Sequence, residues 1–333
     1  MNYMIKIAIN GFGRIGRSAF KVALMNKNLK VVAINDLGNI DNMAYLLKHD
    51  SVYGRFEKDV QVRGKNLLVD RKEFPVYSIA DPGKLPWKKL KVDVVLECTG
   101  VFTRKEDAEK HLSSGAGKVI ISAPTKSEGV LTVVRGVNDK LAKGEKIIAN
   151  ASCTTNCIAP VMAVLEKEFG VEKSFLTTVH SSTASQRVVD LPDAKDWRRG
   201  RAAGVNIIPS TTGAAVAASL VLPSLADNFD GIAFRVPIVC GSIVDAVALL
   251  KKNVTVKQVN NAFKKAAQRG ALKGILEASE EELVSSDVIK TTASAIVDLK
   301  FTRVVGGNLV KIIAWYDNEW AYCLRLVEMC ERV

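Results

Sequence analysis

A glycine-spaced turn near the start constrains this chain more than any other feature. Asn10-Gly11-Phe12-Gly13-Arg14-Ile15-Gly16 stands between an apolar run, Ile5–Ile9, and a helix-length segment, Ile15–Asn26. Each glycine of G-x-G-x-x-G has its own reason: Gly11 permits the tight turn, Gly13 lets backbone approach a pyrophosphate, and Gly16 lets helix pack closely on strand. The helix N-terminus then offers free N–H groups to an anion. A second apolar run, Lys30–Ile34, leads to Asp36, 20 residues past Gly16. A carboxylate there accepts the adenosine-ribose hydroxyls and repels a 2′-phosphate, so the expected cofactor is NAD.

Further runs at Asp93–Glu97, Lys118–Ile121 and Lys146–Ala149 alternate with helix-like stretches, the pattern of a parallel sheet covered by helices. After Cys153 the pattern changes. A helix over Thr154–Phe169 precedes strands at Ser174–Val179, Ile232–Val236, Ser242–Leu250 and Leu309–Trp315, with a helix at Val256–Gln268. Such strands suit a mainly antiparallel sheet. The expected fold is α/β, a Rossmann-type dinucleotide-binding domain over residues 1–152 and an α+β catalytic domain over 153–317. The periodicity of the closing segment, 318–333, does not choose a domain, and it is expected to pack back on the first. The stretch Ser181–Pro209 has little periodicity, and a loop of that length within a compact domain is usually functional.

Composition removes other classes. The 333 residues, 48% hydrophobic and 25% charged, suit about two globular domains. No apolar run reaches the ~18 residues of a membrane span, since Ser219, Pro223 and Ser224 interrupt the most apolar stretch, Ala214–Ala226. The first residues lack a signal-peptide pattern, and cytoplasmic residence is the expectation. Cys98, Cys153, Cys157, Cys240, Cys323 and Cys330 are expected to be reduced thiols. No metal is expected, because no C-x-x-C pair occurs and His49, His111 and His180 lie far apart. A net charge of +12 suits anionic substrates or adventitious polyanion binding, while Lys88-Lys89-Leu90-Lys91 and Arg198-Arg199-Gly200-Arg201 are too short for a polybasic arm.

The nucleophile candidate is Cys153, in Asn150-Ala151-Ser152-Cys153-Thr154-Thr155-Asn156-Cys157. At the start of the predicted helix, the macrodipole and unpaired N–H groups are expected to lower its pKa from ~8.5. Cys157, one turn on, reads as structural, with a resolving thiol as the alternative. The other four cysteines read as small hydrophobes. His180 ends the strand Phe175-Leu176-Thr177-Thr178-Val179 and is the candidate base for the thiol; a satisfied structural histidine is the other reading.

Across nearly its whole length the chain resembles the phosphorylating glyceraldehyde-3-phosphate dehydrogenase family. The residues that carry the likeness are Asn10–Arg17, Ser152–Cys157, Thr178-Val179-His180, Ile207–Pro209 with Thr212-Gly213-Ala214-Ala215, Phe234-Arg235-Val236-Pro237 and Trp315-Tyr316-Asp317-Asn318-Glu319. The resemblance implies a glycolytic oxidoreductase that converts glyceraldehyde 3-phosphate and inorganic phosphate to 1,3-bisphosphoglycerate while reducing NAD. It implies a hemithioacetal and then a thioester on Cys153, with His180 as base. Thr183 and Arg235 would hold the substrate phosphate, with Ser152, Thr154, Arg199, Thr212 and Gly213 around the attacking phosphate. Arg14 and Ile15 would line the pyrophosphate and adenosine side. Thr99, Gly100 and Ser122 would border the cofactor, Asn318 would support the nicotinamide amide, and Tyr322 would pack beside the nicotinamide ring. A homotetramer is implied, with the loop near Ser181–Pro209 reaching a neighbour's cofactor site. Without the resemblance, Arg199 and Arg235 would read as surface charges and Thr212-Gly213 as a helix cap.

The chain departs from the family pattern at Ile238-Val239-Cys240-Gly241, where many members read T-P-N-V. It also has Ser185 where Asp or Thr is frequent, and Ala321 where Gly is usual. These departures bear on positioning of the substrate phosphate and nicotinamide. Three other readings stand beside the main one. Erythrose-4-phosphate dehydrogenase is opposed by Thr212-Gly213. An NADP-dependent variant is opposed by Asp36, with Leu191 and Pro192. A protein serving mainly in RNA binding or surface adhesion is permitted by +12, with nucleic acid at most a secondary partner.

Overall fold

The computed structural model describes residues 3–125, 127–194 and 196–333. Two compact units emerge: one holds residues up to Val133, Asp139–Ala151 and Cys323–Val333, and the other holds Val134–Asn138 and Ser152–Tyr322.

In the first unit the strands are β1 (Ile5–Asn10), β2 (Leu29–Asn35), β3 (His49–Asp50), β4 (Gly54–Arg55), β5 (Val60–Arg63), β6 (Asn66–Val69), β7 (Lys72–Tyr77), β8 (Val94–Glu97), β9 (Lys118–Ile121), β10 (Leu131–Thr132) and β11 (Ile147–Ala149). Helices α1 (Arg14–Met25), α2 (Ile40–Lys48), α3 (Trp87–Leu90) and α4 (Lys105–Ser113) lie between them. Among the described residues nine of these strands form one sheet, ordered β10-β11-β9-β8-β1-β2-β7-β6-β5. The β10 to β7 portion is parallel, and β5, β6 and β7 close one side as antiparallel hairpins. This is the Rossmann-type arrangement, with β2 and β8 flanking β1. The short β5–β7 segment escaped the sequence reading, because it brings no intervening helix and carries charges on its outer face. Ile7, Ala8 and Ile9 of β1 are fully buried, as a strand covered on both faces requires.

In the second unit α5 (Cys153–Phe169) leads into β12 (Val171–Ser181). There follow β13 (Ile208–Thr211), α6 (Ala214–Val221), β14 (Phe229–Val236), β15 (Ser242–Leu250), α7 (Val256–Gln268), β16 (Leu276–Ser279), β17 (Ala295–Asp298), β18 (Arg303–Val305) and β19 (Leu309–Tyr316). Helix α8 (Trp320–Glu328) starts in this unit, and its later part belongs to the first. Among the described residues the sheet runs β13-β14-β12-β15-β19-β17-β16, with β18 on β19. It is mainly antiparallel; only β12 with β14 and β16 with β17 are parallel. Burial alternates along β15, with Val244, Ala246, Ala248 and Leu250 on the covered face. Helix α5 packs across β12, β15, β17 and β19 and covers that face. A capping box between Thr255 and Gln258 starts α7.

Candidate active site

The chain enters α5 through Ala151, whose φ of +51° is uncommon for a residue with a Cβ. Ser152 caps the helix, its Oγ accepting from Thr155 N at 3.0 Å. Cys153 is therefore the first helical residue. Its Sγ lies 3.4 Å from Nε2 of His180, a buried residue at the end of β12. The two catalytic candidates, 27 positions apart, meet because α5 runs back over the sheet that contains β12.

Two residues that sequence alone gave no reason to join to this pair hold it in place. Tyr316, at the end of β19, is fully buried with its ring edge-on to His180, and its Oη is 2.9 Å from both Thr154 Oγ1 and Thr178 Oγ1. Arg235, at the β14 position opposite His180, brings Nη1 to 2.5 Å from His180 Nδ1 and donates to Ser181 O at 3.2 Å. Arg235 is thus no free surface charge. The Ser181 carbonyl also lies 2.8 Å from His180 Nδ1. When Nδ1–H donates to that carbonyl, Nε2 turns its lone pair to the thiol; when Nδ1 accepts from Arg235, the ring proton moves to Nε2.

The electrostatics correct one expectation. Burial pushes the Cys153 thiol above its ordinary value, although Arg235 and hydrogen bonds from Thr154 and the Cys153 N–H pull the other way. At this half-buried helix start, desolvation of the thiolate outweighs the favourable N–H groups. Burial, with Arg235 beside the ring, holds His180 down at about 3. Both shifts favour the neutral forms, a thiol and an imidazole.

The remaining anion-binding candidates lie around this centre unevenly. Thr183 sits just past β12, its Oγ1 3.0 Å from both Gln186 Oε1 and Ser185 Oγ. Ser185, a departure from the family pattern, thus contacts a predicted phosphate ligand directly. Arg199 pairs with Asp196 at 3.2 Å, donates to Ser210 Oγ at 3.2 Å, and is near enough to Arg235 for the two charges to oppose each other. It shares with Thr212 a shallow cavity of about 1030 Å³ that Cys153 does not line. Gly213 is the N-cap of α6, and Thr212 Oγ1 accepts from Ala214 N at 3.2 Å, as the helix-cap reading of these two expects.

The dinucleotide candidates converge in the first unit. Gly11, Gly13, Asp36 and Thr99 line one cavity of about 360 Å³. Gly11 has φ +91°, and a Cβ on it would lie 2.6 Å from Thr99 N. Gly13 has open space where its Cβ would be, and a Cβ on Gly16 would come within 2.0 Å of Gly11 O. Gly13 caps α1 without a side-chain hydrogen bond, and no acidic residue occupies the first turn, so nothing there opposes a pyrophosphate. Asp36 accepts from Phe12 N at 2.6 Å and Gly38 N at 2.8 Å, which aims its carboxylate over the cavity rim. These residues fit NAD.

Other cofactor candidates stand apart from that cavity. Arg14 pairs with Asp50 at 3.0 Å and its guanidinium lies over Tyr53. Ile15 follows it in α1 and accepts at its carbonyl from Cys323 Sγ. Gly100, with φ +70°, follows Thr99 in the loop after β8, and Ser122 follows β9, donating its N–H to Glu97 O at 2.9 Å. In the second unit Asn318 is 5% exposed, and its Oδ1 accepts from Ser181 Oγ, Gly241 N and Ser242 Oγ at 3.0, 3.1 and 2.9 Å. Those three donors fix Oδ1 as the acceptor, which makes Nδ2 the donor side of the amide. Gly241, another departure, is obligatory in this backbone: φ is +86° and a Cβ would meet Ser285 O at 2.1 Å. Ala321 and Tyr322 are buried near the start of α8.

Comparison with known proteins agrees with this geometry. Residues 5–105 match the NAD binding domain model of glyceraldehyde 3-phosphate dehydrogenase, and residues 152–318 match that family's C-terminal domain model. The chain is 53% identical over 327 residues to the glyceraldehyde-3-phosphate dehydrogenase of Geobacillus stearothermophilus, covering 98% of this chain and 97% of the relative. It is 51% identical to glyceraldehyde-3-phosphate dehydrogenase 1 of Bacillus subtilis, with 98% and 97% covered. Identity to glyceraldehyde-3-phosphate dehydrogenase 1 of Kluyveromyces lactis is 47%, over 99% of this chain and all of the relative.

Proposed function

The chain belongs to the glyceraldehyde 3-phosphate dehydrogenase family, NAD-dependent oxidoreductases of glycolysis, and from that premise we propose that it oxidises and phosphorylates glyceraldehyde 3-phosphate through a Cys153 thioester. The observation that carries this reading is the Cys153–His180 pair, 3.4 Å apart, with Arg235 against the far ring nitrogen.

Cys153 adds its sulphur to the aldehyde carbon, and its proton passes by way of His180 Nε2 to the carbonyl oxygen, giving a hemithioacetal. Bound NAD supplies the hydride acceptor. His180 takes the hydroxyl proton as the C–H electron pair departs, leaving a thioester. An oxygen of inorganic phosphate then attacks the thioester carbon, the C–S bond breaks, and Cys153 leaves as thiolate. Arg235 and Thr183 hold the substrate phosphate, while Ser152, Thr154, Arg199, Thr212 and Gly213 serve the attacking phosphate. A phosphate on Arg235 draws the guanidinium off Nδ1, so that Nδ1–H bonds Ser181 O and Nε2 faces the thiol as a lone pair. Burial is the main cause of the ring's lowered pKa and the Arg235 charge the second; the anion offsets that second cause, and Arg235 thereby makes the base responsive to substrate.

A homotetramer fits the uncovered face of the second sheet, where Phe175, Val216, Leu220 and Leu309 border a cavity of about 870 Å³. Six free cysteines agree with a reducing, cytoplasmic setting; no helix among the described residues is long and apolar enough to cross a membrane. The domains are assigned as 1–152 for NAD and 153–317 for catalysis, with 318–333 returning to the first.

Steady-state assays test the reaction. Glyceraldehyde 3-phosphate should exceed erythrose 4-phosphate in kcat/KM by at least roughly tenfold, about 1.4 kcal/mol of transition-state binding, because fixed anchors for phosphate and carbonyl measure chain length. Turnover should need phosphate or arsenate and collapse to a single burst without them. Equal efficiency on both sugars with phosphate-independent turnover would move the reading to the erythrose-4-phosphate enzyme.

The cofactor side has its own test. Asp36→Gly removes the ribose acceptor and frees Phe12 N–H, so NAD should bind roughly tenfold more weakly and the NADP to NAD efficiency ratio should rise. Wild-type protein that uses the two cofactors equally would defeat this assignment.

A further inference from the structure

Beneath the dinucleotide cavity lies a buried polar chain that the proposed reaction does not use. Glu97 ends β8 and is 2% exposed; His111 of α4 and Trp87 of α3 are fully buried. Glu97 Oε2 accepts from Asn10 Nδ2 at 2.5 Å and lies 3.1 Å from His111 Nε2. Its Oε1 accepts from Thr99 N at 2.8 Å and from the Thr99 hydroxyl.

Donor directions in this chain are fixed from both ends. An indole N–H can only donate, and Trp87 Nε1 lies 2.9 Å from His111 Nδ1. Nδ1 must therefore accept, which puts the ring proton on Nε2, facing Glu97. At the other end, Ile79 N donates to Asn35 Oδ1 at 3.0 Å, so Asn35 Nδ2 is the donor to Asn10 Oδ1 at 2.7 Å. Asn10 is left with its Nδ2 toward Glu97. Every group that reaches this carboxylate donates, and of these only the Thr99 hydroxyl could reverse, while Thr99 N–H, Asn10 Nδ2 and His111 Nε2–H are fixed.

Asn10, Asn35 and Glu97 are the last residues of β1, β2 and β8, three neighbours whose carboxyl ends form the edge at which a dinucleotide binds. Asn10 precedes the glycine turn, and Thr99 is the residue against which Gly11 packs. We propose that Glu97, oriented by His111 and Trp87, is a positioning residue that sets the spacing between the glycine turn and the Thr99 loop for NAD. This inference rests on NAD occupying that cavity.

Glu97→Gln tests it, because the amide is isosteric yet must point its N–H₂ at a fixed donor whichever way it rotates. NAD affinity by titration calorimetry should fall by roughly 10–100-fold, the size of one buried donor left unsatisfied. In NAD-free protein, amide hydrogen exchange should quicken at residues 11–16 and 98–102, while iodoacetamide should alkylate Cys153 at the wild-type rate. Adding Trp87→Phe releases His111 Nδ1, allowing the ring to switch tautomer and accept at Nε2 from the introduced amide. Asn10 Nδ2 remains a donor on that side, so the double variant should bind NAD no more weakly than Glu97→Gln alone, whereas two packing defects would add. If Glu97→Gln cannot be purified folded, Trp87→Phe alone decides: NAD binding weaker by about three- to tenfold supports the proposal. Wild-type NAD affinity in either single variant, or additive losses in the double, overturns it. Wild-type protein that fails to bind NAD would instead remove the cofactor reading beneath it.

Discussion

Replacing Cys153 by serine is expected to leave NAD binding nearly unchanged and to cut aldehyde oxidation by roughly 10⁴-fold or more, the scale on which loss of a nucleophile acts. The cause is the attacking atom. Burial already opposes ionisation of the thiol, and a hydroxyl at the same helix start ionises far less readily, so His180 would have to remove a much more tightly held proton. Alkylation of the wild type gives an independent reading. Cys153 is half-buried, whereas Cys157 is fully buried and held well above its ordinary pKa by that burial and by Cys153. Cys98 is pushed to about 12 by burial and by Glu97, and Cys240, Cys323 and Cys330 are buried. Iodoacetamide should therefore label Cys153 first, as peptide mass spectrometry would report. Preferential labelling of Cys157, together with substantial activity in Cys153→Ser, would assign the nucleophile elsewhere.

What could be read from the chain beforehand follows from how far apart the partners lie. The glycine turn and Asp36 are legible because a short βαβ unit sets their geometry by spacing alone. Cys153 was legible as a helix start, because the apolar run Lys146–Ala149 gives way there to the helix-length segment Thr154–Phe169. Its acidity was not, because that depends on burial by residues from β12, β14 and β19. Arg235 and Tyr316 reach His180 only through strand register, with Arg235 directly opposite it on the parallel neighbour. No local pattern marks such a partner, and only the family likeness had drawn attention to Arg235. The Glu97 chain was hidden for a related reason: Asn10, Asn35 and Glu97 each look like an ordinary polar strand end, and their meaning appears once β8, β1 and β2 are side by side.

His180→Asn should lower turnover by about 10²–10⁴-fold while leaving NAD affinity close to wild type, the usual range for a positioned acid–base group. A structural histidine would behave differently, with turnover kept and stability lost at all pH values. The pH dependence of stability tests the burial of the ring itself. His180 titrates at about 3 in the folded protein, against 6.5 for an unperturbed histidine. Between those values the unfolded chain binds a proton that the folded one does not, so stability rises with pH across the interval and is lost as pH falls from about 6.5 toward 3. Asparagine carries no such proton. Denaturant titrations at a series of pH values should therefore show a shallower acid loss in His180→Asn than in wild type. A phosphate monoester bound at Arg235, such as glycerol 3-phosphate, should raise the His180 pKa in the wild type, visible as a shift of its imidazole titration by NMR, and Arg235→Leu should abolish that phosphate response. An imidazole titration indifferent to that monoester in the wild type would break the proposed link between the substrate's charge and its base.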